Sequence, residues 1–307
     1  MSYHIVSIDS PQCSISCRDG QLVCKTAEGE RSLPIEDVAS IIITSFSANF
    51  HSHLFLEAAK HGVALIICES FKPVSLVLPA NRSTDTILSR ALLKLTPATT
   101  QTLWQRTTDA KCQNQFALAE HLIPADSRLE HFRATAFGKK PHKEAMCAKL
   151  FWQFVAQSVS DPEFIRDRKA GGLNSLLNYG YAVLLSTVLQ KLFALGLDPT
   201  FGISHVLRER STPLAYDLME PFRPCVDWRI IQWMRKQPKG AALEVTKEYR
   251  AWVTGFPLER VDYLDLSLDI RGCIEGVVRS FRRAVVENQP RLYKPWTPRN
   301  SKWAGSS

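Results

Sequence analysis

The stretch "LNSLLNYGYAVLLSTVLQKLFALG", residues 173 to 196, decides the fold class. Apolar residues return on every side of its 3.6-residue period. A helix with no polar face must lie inside a bundle. The flanking sequence agrees. In "ATTQTLWQRTTDAKCQNQFALAEHL", Leu103, Thr107, Ala110, Asn114, Ala117, Leu118 and His121 keep helical spacing. "DIRGCIEGVVRSFRRAVVEN" is amphipathic, with Ile270, Ile274, Val277, Val278, Phe281 and Val285 on one stripe and Arg271, Glu275, Arg279, Arg282 and Arg283 mostly opposite.

The first 80 residues follow a different period. "HIVSID", "CSISCR", "QLVCKT", "ASIIITS", "VALIICE" and "VSLVLPA" are rich in β-branched residues, and turn signals such as "RDGQ" and "EGE" separate the early ones. One helix, "SHLFLEAAKHG", is expected among them, ending on Gly62. The polar "PANRSTDT" breaks the pattern. The expected fold is therefore α+β: an N-terminal β-rich sheet domain over 1–82, an all-α C-terminal domain over 83–290, and a basic, flexible tail over 291–307.

Composition narrows the class. With 307 residues, 45% of them hydrophobic, the chain can bury a sizeable core. No uninterrupted apolar run of membrane length occurs, and "MSYHIVSIDS" lacks the pattern of a secretory signal, so a cytoplasmic protein is expected. The eight cysteines lack zinc spacing and read as small buried hydrophobes in a reducing compartment. His51 and His53 in "HSH" read as surface or capping residues before the first helix, with metal binding as the alternative. Of the net charge of +8, residues 279 to 307 carry seven basic side chains against the single acid Glu287. That asymmetry favours a polyanionic partner, nucleic acid above all.

Two segments carry candidate chemistry. In "KKPHKEAMCAKLFWQFVAQS", Glu144 is spaced with Cys147 and Phe151 on an inward stripe. A carboxylate there needs a cation, either a metal ion or a basic side chain. In "GISHVLRERSTPLAYDLMEPFRP", residues 202 to 224, Asp217 and Glu220 stand three apart so that one helical turn presents both, with His205 ahead of them. Carboxylates with an imidazole suit manganese and tolerate magnesium. A charged connector between helices is the other reading, and spacing alone leaves both open.

The pieces "HKEAMCAKLFW", "LNSLLNYGYAVLLS", "GISH" and "YDLMEPFRP", in that order, resemble the CRISPR-associated adaptation integrase family, Cas protein one. "MEPFRP" is most like members from type II systems. The resemblance implies a β-rich domain that dimerises and a helical catalytic domain. It also implies a metal site on Glu144, His205 and Glu220 holding Mg2+ or Mn2+, with Asp217 in support. The implied activity is that of a divalent-metal-dependent endonuclease and integrase, joining 3′-hydroxyl ends of captured DNA into the leader-repeat end of a CRISPR array. A stand-alone transposon-type integrase and a non-catalytic DNA-binding scaffold are the alternatives. Double-stranded DNA, a second copy of the chain and a dimer of Cas protein two are the implied partners, in a prokaryotic cytoplasm with no membrane. Lys149, Arg208, Arg210, Arg223, Arg279, Arg282 and Arg283 are the candidate DNA contacts. For Arg223, pairing with a carboxylate is equally open. Asn174 and Asn178 read as partners for buried polar groups.

Overall fold

The structure, a computed structural model, describes residues 4–10, 12–45, 47–69, 72–77, 83–205, 212–238, 241–298 and 303, with backbone alone at 39, 72 and 83–86. It divides into two compact units, Met1–Leu95 with Leu189–Pro199, and Thr96–Val188 with Thr200–Ser307.

The first unit holds two four-stranded sheets. Strands β1 (His4–Ile8), β2 (Ser14–Arg18), β3 (Gln21–Thr26), β4 (Gly29–Pro34), β5 (Val38–Ile43) and β6 (Asn49–Phe50) precede helix α1 (Ser52–Lys60). Strands β7 (Ala64–Glu69) and β8 (Lys72–Val77) and helix α2 (Ser83–Leu93) follow. One sheet has the order β1-β5-β7-β8, parallel except for the last pair, and the other has β4-β3-β2-β6. Alternation sends Ile15 and Cys17 of β2, Ile41 and Ile43 of β5 and Leu65 of β7 into one core, closed by Leu54 and Ala58 of α1. Gly62 takes φ +71° just past α1, a conformation that costs glycine little. All eight cysteines are free, and all but Cys24 are buried.

The second unit is built on helices α3 (Pro97–Leu122), α4 (Arg128–Phe137), α5 (Lys143–Ser158), α6 (Leu173–Ala194), α7 (Pro213–Met219), α8 (Arg223–Arg235), α9 (Lys247–Thr254) and α10 (Ile270–Val286). The last turns of α6 belong to the first unit, where Ala194 packs with Ile42, Ile66 and Cys68. Thr96 caps α3 by accepting the Thr99 N–H, with Pro97 pre-set in the first turn. Every residue expected on the apolar stripe of α10 is buried, and Asp269 caps that helix from the Gly272 N–H at 2.6 Å.

Three details refine the plan read in the sequence. The second unit is mostly rather than wholly helical, because β9 (Arg260–Tyr263) and β10 (Leu266–Asp269) form an antiparallel hairpin. Its strands are only four residues long and hide their alternation beside an amphipathic helix. The compact units separate after Leu95, not after residue 82. The segment after residue 290 is no flexible tail throughout: Tyr293 and Trp296 are fully buried, and Trp303 is buried too. Trp296 stacks on Phe222 at 5.7 Å, and its indole N–H donates to the Asp262 carbonyl. Two aromatic rings supply the burial that composition alone hides.

Candidate active site

Helices α3 and α5 and the 3-10 turn Glu220–Phe222 bring three charged side chains to one point. The turn forms because Pro221 cannot donate to the α-ladder, so α7 ends at Met219 and Glu220 leaves on the inside of the bend. Asn114 on α3 fixes that bend, donating to the Pro221 carbonyl at 2.7 Å and to the Trp296 carbonyl at 3.0 Å.

Lys111 of α3 lies between the two candidate carboxylates. Its Nζ is 2.7 Å from Glu144 Oε1 and 2.7 Å from Glu220 Oε2. The second contact is an ion pair without hydrogen-bond angles, so Glu220 Oε2 has no hydrogen-bond partner among the described residues. Arg223 donates from Nε to Glu220 Oε1 at 2.9 Å and lies 4.6 Å over the Tyr181 ring. Burial works against the Glu220 carboxylate, but Arg223 and Lys111 outweigh it and hold its pKa below the ordinary range. Burial likewise opposes the Lys111 ammonium, and the Glu220 and Glu144 charges more than offset it.

Glu144 is less enclosed than its spacing implies. It sits in the first turn of α5 with its side chain 39% exposed, because that turn opens at the helix end, while Cys147 and Phe151 further along are fully buried.

His205 is held from another side. Asp217, fully buried on α7, accepts the backbone N–H groups of Ile203 at 2.6 Å, Ser204 at 3.2 Å and His205 at 3.1 Å. Its Oδ1 also lies 2.7 Å from His205 Nδ1. One carboxylate thus gathers the chain before residue 206 and orients the imidazole, leaving Nε2 as the ring nitrogen for any ligand. The ring packs edge-on to Trp104 at 5.9 Å.

Two hard carboxylate donors meeting at one cation form the pair a divalent ion takes, so Glu144 and Glu220 fit such an ion. His205 does not join them: among the described residues, no group of three His, Cys, Asp or Glu side chains is placed to hold a metal.

Beside this point lies a pocket of about 230 Å³ lined by Lys111, Arg166, Arg168, Glu220, Arg223 and Asp227, among others. Asn174 and Asn178, outside the lining, hold Arg166 and the Arg168 backbone in place. Arg166 donates to Asn174 Oδ1 and Asn178 Oδ1, each at 2.8 Å, while their amides bind the carbonyls of Ile165 and Arg168. Buried Tyr181 donates to Asp227 Oδ1 at 2.5 Å. Burial dominates at Asp227 and pushes its pKa up to about 7, against Tyr181 and the neighbouring cations.

A basic pocket thus stands against paired carboxylates on a helical unit that follows a β-rich one. The family model described as "CRISPR associated protein Cas1" matches residues 6–251. The chain belongs to the Cas1 family. A similar curated relative is the CRISPR-associated endonuclease Cas1 of Neisseria meningitidis serogroup C, 29% identical over 223 residues, or 71% of each chain. Two solved structures share the fold. A casposase bound to integration product has a TM-score of 0.73 at 20% identity, over 96% of this chain and 99% of that one. A chain of a partial Cas6-RT-Cas1–Cas2 complex has a TM-score of 0.73 at 14% identity, over 97% and 99%.

Against the Cas1 fold, the candidate DNA contacts sort unevenly. Lys149 is exposed on α5. Arg208 and Arg210 lie outside the described residues. Arg223 is not a free surface cation, since its side chain is 15% exposed and paired with Glu220. Arg279 pairs with Glu275 and Arg283 with Glu287 along α10, while Arg282 is half-buried. His51 and His53 are exposed: His51 stands at the N-cap position of α1 without a side-chain capping bond, its Nε2 3.4 Å from Ser14 Oγ, and His53 reaches the Cys17 carbonyl and Glu57.

Sequence reasoning missed Lys111, Arg166, Tyr181 and Asp227. Lys111 did leave a signal, since it falls four residues after Thr107 and three before Asn114, on the stripe facing the core. A lysine on a core-facing stripe calls for a buried counter-charge.

Proposed function

We propose that this Cas1 protein is a divalent-metal-dependent DNA integrase and endonuclease of CRISPR adaptation. It joins the 3′-hydroxyl ends of captured DNA fragments into the leader-repeat end of a CRISPR array by transesterification. The observation that carries this reading is the meeting of Glu144 and Glu220 at one cationic centre beside a basic pocket.

On this reading Glu144 and Glu220 would hold Mg2+ or Mn2+, and His205 would join them once metal binding draws its Nε2 in, with Asp217 supporting the ring. When bound, the ion supplies Lewis-acid polarisation of a phosphoryl oxygen and offsets negative charge in the transition state. The chain's own groups do the rest. Arg223 fixes one oxygen of Glu220, leaving the other directed at the shared point. Asp217 holds the imidazole by Nδ1. Arg166 and Arg168 line the pocket where phosphate oxygens are neutralised.

In the reaction, the incoming 3′-oxygen bonds to phosphorus as the bond from phosphorus to the target strand's 3′-oxygen breaks. The proton of the incoming hydroxyl leaves to solvent, and the departing oxygen takes one up. No covalent bond to the protein forms. Water in place of the hydroxyl gives strand cleavage, which suits the endonuclease name carried by the Neisseria relative.

Two insertion sites at fixed spacing require more than one copy, so the reading includes a homodimer through the β-rich unit and a Cas2 dimer as partner. The neighbours bound to an integration product and assembled with Cas2 support both DNA and Cas2 as partners. No helix among the described residues is long and apolar enough to cross a membrane. The reading places the protein in the prokaryotic cytoplasm.

The test is strand transfer by purified protein with Mn2+ on branched and repeat-containing DNA, with Cas2 present. Glu144→Ala and His205→Ala are expected to abolish joining while retaining DNA binding. Undiminished joining by either variant would sink the site assignment, and no joining or cutting by the parent protein would favour a DNA-binding scaffold.

A further inference from the structure

Lys111 is the least expected member of the site. It is a half-buried lysine on α3, its side chain 13% exposed, whose ammonium stands where two carboxylates from different elements converge. Lys111 Nζ, 2.7 Å from an oxygen of each carboxylate, occupies the point that a divalent ion bridging them would take. A divalent ion binding Glu144 and Glu220 must therefore displace Nζ or share its charge, and like charges at such range repel strongly in a buried site.

A displaced ammonium has somewhere to go. Gln115 lies one helical turn further along α3 and lines the same pocket. It is 5% exposed, and its buried Oε1 has no hydrogen-bond partner among the described residues. An unpaired buried carbonyl is costly and is the kind of acceptor a lysine head can satisfy. Residues four apart on a helix are side-by-side neighbours, so rotation about the lysine stem suffices to bring the two together.

We propose that Lys111 is a built-in placeholder cation. Its ammonium neutralises Glu144 and Glu220 before metal binds, competes with the divalent ion for them, and moves to the Gln115 acceptor when the ion enters. The inference rests on the reading of Glu144 and Glu220 as metal ligands. It assigns Lys111 a positioning role that sets metal affinity, and casts the lysine as neither ligand nor general base. The device keeps two acidic groups folded in close approach without metal, at the expense of weaker metal binding.

The experiment is direct Mn2+ titration of the full-length protein, with free Mn2+ read by electron paramagnetic resonance, alongside thermal melts with and without the ion. In Lys111→Met, the carboxylates lose their resident cation. The metal-free melting temperature is expected to fall, Mn2+ to bind at least about fivefold tighter, and the Mn2+-induced rise in melting temperature to grow. Lys111→Gln, which keeps a polar head, serves if the methionine variant does not fold, with the same direction expected. Mn2+ affinity unchanged or weakened in the folded variant overturns the placeholder role. Glu144→Ala and Glu220→Ala separate the two levels. If they bind Mn2+ as tightly as the parent, the ligand reading itself fails. If they lose Mn2+ while the Lys111 variants gain nothing, only the placeholder falls.

Discussion

His205 Nδ1 lies 2.7 Å from Asp217 Oδ1, and the same carboxylate accepts the backbone N–H of His205. The imidazole is thus fixed at both its ring and its root by one buried group. Replacing Asp217 with Asn removes the charge and puts an NH2 either where Oδ2 accepts from Ile203 and Ser204 or where Oδ1 meets the His205 backbone N–H and ring. Strand transfer is expected to fall by about 10–100-fold, with Mn2+ binding weakened in step. Equal activity of Asp217→Asn and the parent would show that the imidazole needs no such support.

Gly202 explains the first letter of "GISH". A Cβ there would meet the His205 carbonyl at 2.5 Å, Pro213 Cβ at 2.7 Å and Asp217 Oδ2 at 3.2 Å. Two of those neighbours are a backbone oxygen and a proline ring carbon, which do not give way easily. Gly202→Ala is therefore expected to shift the His205 segment, lowering activity and costing roughly 1–3 kcal/mol of stability. Denaturant midpoints and strand-transfer rates on the same preparation check it.

Arg223 holds Glu220 by its Nε and stacks over Tyr181. Arg223→Met leaves a buried carboxylate with Lys111 as its remaining ion-pair partner. A loss on the order of 3 kcal/mol is expected in urea unfolding, with a smaller loss for Arg223→Lys. If both variants unfold at the parent midpoint, the pair does not stabilise the turn.

The buried end of the chain is a structural part of the site. Trp296 stacks on Phe222, two residues from Glu220, and its carbonyl accepts from Asn114. Trp296→Ala is expected to destabilise the protein by about 3–5 kcal/mol. Removal of residues 291–307 is expected to leave no cooperative melt.

Asp227 gives a pH signature. Burial raises its folded-state pKa from 3.8 to about 7, so the folded state holds its proton more tightly than the unfolded chain. The sign follows: its favourable contribution is full below 3.8 and is lost as pH rises through about 7. Asp227→Asn cannot ionise, so the decline in stability across that window is expected to flatten. Unfolding midpoints at several pH values from acid to mildly alkaline test this, and an unchanged slope contradicts it.

Much was legible in the sequence because period and local chemistry are short-range. Richness in β-branched residues and turn signals exposed β1, β2, β3, β5, β7 and β8, and the stripe from Ile270 to Val285 set the face of α10 residue by residue. The spacing of Asp217 and Glu220 marked one turn, and Pro221 marked where it bends. Family likeness singled out Glu144, His205 and Glu220, but spacing could not show what each one touches. Only the folded chain decided that Lys111, 33 residues before Glu144, stands between the two glutamates, and that Asn114 binds Pro221 across 107 residues and Trp296 across 182. Contacts over such separations carry no periodic trace, since each depends on how helices pack and not on their own repeat. The sequence alone determined which residues face inward. The tertiary structure determined which charges meet there, because a buried charge takes whatever partner the packing brings within reach.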